Sequence, residues 1–235
     1  MAAFGIIDMT NWLTAQVLQV VPLTRSILQI ILQPEEFLTY HAGQYLQLRT
    51  SNFQNFFSIA NAPLGSNTYE LHVRHDNEKK SSQELLAQLE KQAGLEISLP
   101  YGYCYLDNFA PERDFVFIAG GTGIAPIKAI IEQMLFNQDR RNFELYWTAS
   151  DKSDLYMENM LHAWRQHVPN FRALEFFSGS SGLLDNLLRK HNLQNLQVMI
   201  SGPFDMVYTY RDKLVNENVA PSNIYSDAFA FELKK

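Results

Sequence analysis

The sequence predicts an N-terminal antiparallel Greek-key β-barrel followed by an α/β domain built on a five-stranded parallel sheet. Two observations carry this. Short strand-like runs fill the first 110 residues, with turn-rich pieces between them. From about residue 113, apolar strand runs alternate with amphipathic helical ones, the pattern of a parallel sheet with helices on both faces. The join "YLDNFAPERD" is polar and carries a proline, which puts the boundary between residues 110 and 111.

In the first half, "QVLQVV", "SILQIILQ", "GQYLQLRT", "FFSIAN" and "LEISLP" are strand candidates of about six residues each. "YELHVRH" alternates cleanly: Tyr69, Leu71 and Val73 share one face, and Glu70, His72 and Arg74 the other. One helix interrupts at residues 82–93, with Leu85, Leu86 and Leu89 on one side and Gly94 as its stop. In the second half "FVFIAG" leads to a helix with Ile127, Ile130, Ile131 and Met134 on one face. "FELYWTAS", "FRALEFFS" and "LQVMISG" are each followed by a helical stretch, "DLYMENMLHAW", "GLLDNLLRKH" and "PFDMVYTYRDKLV" in turn. A last strand is expected in "IYSDAFAF".

Composition narrows the function. The 235 residues are 46% hydrophobic and 19% charged, as in an ordinary globular protein. The net charge of −6, without clustered Lys or Arg, argues against nucleic acid as a partner. One cysteine, Cys104, excludes internal disulfides and any cluster held by four cysteines of this chain. The six histidines show no metal-ligand spacing, so no metal is expected. "MAAFGIIDMTNWL" is a poor signal peptide, and no run approaches the ~18 apolar residues of a membrane helix. A cytoplasmic protein without a membrane partner is the expectation.

The chemistry concentrates in glycine turns. Gly120, Gly121, Thr122 and Gly123 end the first parallel strand, and Pro126 suits the first turn of the next helix. Ligands of open α/β sheets bind at this edge, where a helix N-terminus offers free N–H groups to a phosphate. This is not G-x-G-x-x-G, because Pro126 takes the third glycine position, and it lacks the G-K-[ST] of a P-loop. Ser201, Gly202 and Pro203 repeat the design at the fourth strand. Each turn alone is equally compatible with a plain strand-to-helix connection.

"HAGQYLQL", "NFFSIAN", "YELHV", "LPYGYCYL", "IAGGTGIAP", "SGPFDMV" and "YSDAFAF" occur in this order over nearly the whole chain. Together they resemble the ferredoxin-NADP reductase-like superfamily, and most of all its bacterial NAD(P)H:flavin oxidoreductases, the small flavin reductases. The resemblance implies a flavin (FMN, FAD or riboflavin, held or used as substrate) between barrel and sheet, with NADH or NADPH stacked on it. It implies hydride transfer from nicotinamide C4 to flavin N5.

Residue by residue, the family's R-x-[YF]-S strand falls on Asn55-Phe56-Phe57-Ser58. Ser58 then bonds the ring near N5 and Phe57 lies at the ring. Asn55 replaces an arginine that commonly pairs with a flavin phosphate, so that contact loses its charge. His72 and Val73, in "YELHV", belong to the same flavin region. Ser81 and Ser82, beside Lys79 and Lys80, are either helix N-caps or phosphate ligands. Thr122 takes the nicotinamide side of the loop, and Gly121 and Gly123 admit ring and pyrophosphate. Ser201 stands where many relatives have cysteine. Ser150 and Asp151 should meet the adenosine ribose, and an acidic residue there favours NADH over NADPH. Asp227, Phe229 and Phe231 close the chain; the aromatics either cover a ring face or fill the gap between domains.

The resemblance implies a reductase that releases reduced flavin to acceptors in solution. A reductase that keeps FAD and serves an iron–sulfur or oxygenase partner remains an alternative. So does a flavin- or nucleotide-binding regulatory module without turnover.

Overall fold

The computed structural model describes residues 12–50, 53–76, 78–90, 95–177, 182–190 and 196–234. Gly94, expected to stop the first helix, lies outside the described residues, as does the side chain of Ser81.

Six antiparallel strands come first: β1 (Leu13–Pro22), β2 (Ile27–Pro34), β3 (Tyr45–Arg49), β4 (Gln54–Ser58), β5 (Tyr69–Arg74) and β6 (Leu95–Tyr101). They run in the order β4-β3-β6-β1-β2-β5. The two ends of this sheet approach where β4 runs out. Ile59 bridges Leu71, and the Ala60 N–H donates to the Glu70 carbonyl at 2.7 Å. Tyr69, Leu71 and Val73 point inward with Ile30, Leu46, Leu48 and Ile97, all at most 2% exposed. Burial of each such side chain stabilises the fold by roughly 1.5–3 kcal/mol. The helix α1 (Lys80–Glu90) buries Leu85 and Leu89 against the same core, with Leu86 partly buried beside them.

The second sheet is parallel, in the order β11-β10-β7-β8-β9. Its strands are β7 (Phe115–Gly120), β8 (Phe143–Ala149), β9 (Phe171–Phe177), β10 (Gln197–Ser201) and the short β11 (Ile224–Tyr225). Helices α2 (Ile124–Phe136) and α3 (Glu158–His167) lie on one face, while α4 (Leu183–Lys190) and α5 (Phe204–Asn216) lie on the other. The alternation of β7 follows from this: Phe115, Phe117 and Ala119 serve the first face, Val116 and Ile118 the second. Strand order reverses between β7 and β10, so a crevice opens at their C-terminal ends.

Two expectations are corrected. "IYSDAFAF" is not one strand: the chain leaves the sheet after Tyr225 and coils into a 3-10 helix over Asp227–Lys234. The cause is Asp227, whose carboxylate accepts from the N–H groups of Tyr103 and Cys104 at 3.0 and 3.3 Å and draws the chain onto the barrel. The helix expected from "DLYMENMLHAW" starts only at Glu158. Asp151 caps a short turn at Lys152–Asp154, and Asp154 is held by an ion pair to Arg74 of β5, so this stretch is bound to the barrel.

Candidate functional site

The crevice between β7 and β10 is walled by the barrel. A cavity of about 720 Å³ is lined from the barrel by Phe56, Phe57, Ser58, His72 and Arg74. From the α/β domain it is lined by Gly120, Gly121, Thr122, Gly123, Ala125, Thr148, Ala149, Ser150, Ser201, Gly202, Pro203 and Met206. Ser58 and Thr122, 64 residues apart in the chain, thus share one wall-to-wall space.

The two glycine turns shape each other. A Cβ on Gly123 would stand 2.1 Å from the Ser201 carbonyl oxygen, so the β7 turn is pressed onto the backbone of the β10 turn. Gly120 and Gly202 meet Met206 and each other in the same way. The missing side chains of Gly120 and Gly123 therefore make room for the neighbouring turn, and both glycines also line the main cavity. Gly121 differs. Its φ of +54° lies in the left-handed region, and only the Arg74 guanidinium, at 3.5 Å, would meet a Cβ there. Its carbonyl accepts from Trp147 Nε1 at 2.9 Å, which fixes the loop to β8.

A second cavity of about 650 Å³ adjoins the first through Phe57 and Arg74. It is lined by Asn55, Val73 and Ser82, together with Arg25, Ser26, Phe53, His75, Asp76, Lys79 and Leu85. Asn55 brings no charge, and its amide oxygen accepts from the N–H of Phe56 at 2.9 Å. Arg25, Arg74 and Lys79 bring three cations against one carboxylate, Asp76. The Ser82 hydroxyl accepts from the Asp76 N–H at 3.1 Å.

A third space of about 240 Å³ lies behind Ser58, lined by Tyr45, Pro126, Ser201, Phe204, Asp227 and Phe231 among others. Phe231 packs between Phe56 (6.3 Å between centroids) and Phe204 (5.8 Å). Phe229 lines none of these spaces; it lies beside Tyr208 and under Arg211. Asp151 does not line them either. It faces solvent and accepts from the N–H and hydroxyl of Ser153 at 2.8 and 2.7 Å, bonds that hold its carboxyl below the usual range. Burial raises the Asp227 carboxyl above its usual range. Burial beside Asp227 pushes the Cys104 thiol up, which keeps it protonated and unreactive.

The polar side of β5 is the residue set whose importance the alternation alone concealed. Glu70 and His72 face the α/β domain and are largely buried, while Arg74, exposed, reaches it through Asp154. Lys128 of α2, 4% exposed, reaches Glu70 at 3.1 Å, Glu132 at 2.8 Å and the Ala60 carbonyl at 2.9 Å. Burial would raise the Glu70 carboxyl, but bonds from His72 and Gln29 and the charge of Lys128 outweigh it and hold it at about 2. His72 Nε2 meets Glu70 at 2.8 Å and Nδ1 meets the Tyr156 hydroxyl at 2.9 Å. Arg74 pairs with Asp154 at 2.9 Å. A run of alternating polar residues on a strand does not reveal which partner it will face; only the approach of residues 128 and 154–156 does.

Among the described residues no group of His, Cys, Asp or Glu is placed to hold a metal ion, and no helix is long and apolar enough to cross a membrane.

Comparison with known proteins agrees with this geometry. Residues 117–212 match the family of oxidoreductase NAD-binding domains. The chain is 30% identical over 215 residues to the CDP-6-deoxy-L-threo-D-glycero-4-hexulose-3-dehydrase reductase of Yersinia pestis, covering 87% of this chain but 64% of that one, just under two thirds of its length. It is 26% identical over 234 residues to an NAD(P)H-flavin reductase of Aliivibrio fischeri, covering 93% of this chain and 99% of that one. Among solved structures, the cytochrome P450 reductase GcoB of Amycolatopsis superposes with a TM-score of 0.81 at 24% identity, covering 92% of this chain and 69% of that one. Residues 117–212 thus match an oxidoreductase NAD-binding domain, the fold is that of GcoB, and the chain is similar over 93% of its length to the NAD(P)H-flavin reductase of Aliivibrio fischeri.

Proposed function

We propose that the chain is an NAD(P)H:flavin oxidoreductase that releases reduced flavin to acceptors. One observation carries the reading: a single cavity is lined at once by Phe57 and Ser58 of the barrel and by Gly121 and Thr122 of the glycine loop. That space, joined to the cation-lined cavity beside it, fits a flat heterocycle with a phosphate-bearing tail.

When bound, the nicotinamide supplies a hydride from C4 and the flavin accepts it at N5. The protein's part is placement and exclusion of water, since the cofactors carry the bond-making. Ser58 offers a hydroxyl at the cavity wall, half-buried, and serves to hydrogen-bond the reacting edge of the flavin ring. Phe57 gives the ring an apolar face. Thr122 and the loop N–H groups orient the nicotinamide side. Holding the reacting atoms about 3–3.5 Å apart in alignment is the main source of acceleration. Arg25, Arg74 and Lys79 take the role that Asn55 cannot, attracting the flavin phosphate. Ser150, which lines the cavity, is assigned the adenosine end; Asp151, next to it in the chain though outside the lining, favours a free ribose hydroxyl and hence NADH.

A second reading is favoured by those three cations: FAD is retained and electrons pass to a protein partner. The Yersinia relative is named as the reductase of a dehydrase. Absorbance of the purified protein, then NADH oxidation with and without riboflavin, FMN and FAD, separates the two. Colourless protein that oxidises NADH only when flavin is added supports flavin as substrate. A yellow protein with one bound flavin per chain supports retention. No oxidation with any flavin contradicts both.

A further inference from the structure

We infer that Trp147, Tyr156 and His72 form a strut that fixes the glycine loop at a set distance from the flavin-facing barrel. The inference rests on the proposed function and assigns three positioning residues to it.

The strut can be followed atom by atom. Gly121, in the loop that carries Thr122, gives its carbonyl to Trp147 Nε1 at 2.9 Å. The Trp147 indole, fully buried, meets the Tyr156 ring edge-on, 5.2 Å between centroids at 89°. The Tyr156 hydroxyl meets His72 Nδ1 at 2.9 Å, across the seam between the domains. His72 Nε2 rests on Glu70 at 2.8 Å, and Glu70 is itself held by Gln29 Nε2 at 2.7 Å and Lys128 Nζ at 3.1 Å. Proton roles follow from the far end. An ionised Glu70 only accepts, so the Nε2 of a neutral His72 donates to it, and Nδ1 is left to accept the Tyr156 O–H.

The hydrogen-bonded joints are short and part-buried, and the ring contact between them is edge-on. The His72 side chain is 2% exposed and still lines the main cavity, so the strut ends on the wall of the site. At its other end the loop adopts a left-handed backbone at Gly121, whose carbonyl accepts from Trp147 Nε1 and from the Ile124 N–H. Transfer between stacked rings is steep in distance: a misplacement of ~1 Å costs on the order of a hundredfold. A strut that sets loop against barrel therefore acts on the transfer step more than on affinity, because Trp147 and Tyr156 do not line the cavity themselves.

The test uses Tyr156→Phe, which keeps the ring contact but loses the bond to His72, and Trp147→Phe, which loses the bond to Gly121. Hydrogen–deuterium exchange of residues 120–124 is measured in the ligand-free proteins. The single-turnover rate of flavin reduction by saturating NADH, and NAD+ affinity by calorimetry, are measured beside it. In both variants, loop exchange should speed about tenfold and the transfer rate fall about tenfold, with the NAD+ dissociation constant within about threefold of wild type. His72→Asn, whose amide oxygen replaces Nδ1, should retain more of the rate than His72→Gln, whose amide reaches Glu70 instead. Unchanged loop exchange with a transfer rate within about twofold in both variants overturns the strut, as does weakened NAD+ binding at an unchanged rate. If Tyr156→Phe does not fold, loop exchange in Trp147→Phe decides. A wild-type protein inactive with every flavin sinks the functional reading instead, while the exchange result in ligand-free protein stands apart from it.

Discussion

Ser58 and Thr122 reach one cavity from two sheets, and Ser58 is the simplest residue to test. Ser58→Ala should lower flavin reduction at least tenfold, about the worth of one hydrogen bond to a reacting group, with unfolding free energy changed by less than about 1 kcal/mol. Rapid-mixing kinetics and a denaturant melt check both halves. Asp151 predicts a higher kcat/KM with NADH than with NADPH, and Asp151→Ala should narrow the difference. Glu70 adds a pH effect. Its carboxyl is held at about 2, below its ordinary 4.5, so the stabilisation it provides is complete above pH ~4.5 and is lost as pH falls towards 2. Glu70→Gln should flatten the fall in stability over that window, followed by denaturant melts from pH 5 downwards. The place of Ser58 on the cavity wall was legible because Asn55-Phe56-Phe57-Ser58 resembles a contiguous family motif. Tyr156 was not, because its role depends on His72, 84 residues away.

At the scale of elements, the two glycine turns make a unit. Gly123→Ala forces a Cβ to 2.1 Å from the Ser201 carbonyl, and neither side is a flexible side chain that can yield. It should cost roughly 1–3 kcal/mol or more of stability and displace the β10 turn. Gly121→Ala meets only the flexible end of Arg74, at an ordinary 3.5 Å, and costs its left-handed backbone, about 1–2 kcal/mol. Thermal melts of the two variants should therefore rank Gly123→Ala as the worse; the opposite order would mean that backbone conformation, not turn-on-turn contact, governs the loop. The glycines were visible in the sequence, yet what they accommodate was not, since the partner turn lies 78 residues along the chain from Gly123. The strand periodicities of β7, β8 and β10 were similarly plain, whereas the closing segment misled. "IYSDAFAF" is an apolar run like a strand, but Asp227 finds the N–H groups of Tyr103 and Cys104 and coils the chain away.

Over the whole molecule, barrel and sheet are joined by charges and hydrogen bonds as well as by packing. Lys128 to Glu70, Tyr156 to His72 and Asp154 to Arg74 all cross the same seam. Arg74 lines both large cavities, between the cations beside Asn55 and the glycine loop. Arg74→Ala should therefore weaken binding of FMN and FAD about tenfold while leaving riboflavin within about threefold, measured by flavin fluorescence quenching. Equal losses for all three flavins would show that Arg74 acts by holding the seam and not by meeting phosphate. The most direct test of the central claim is anaerobic mixing of the protein with NADH and riboflavin while both absorbances are followed. The account predicts one flavin reduced per NADH oxidised, at a rate that depends on the protein; folded protein that leaves both absorbances unchanged, with riboflavin and with FMN and FAD alike, would contradict it.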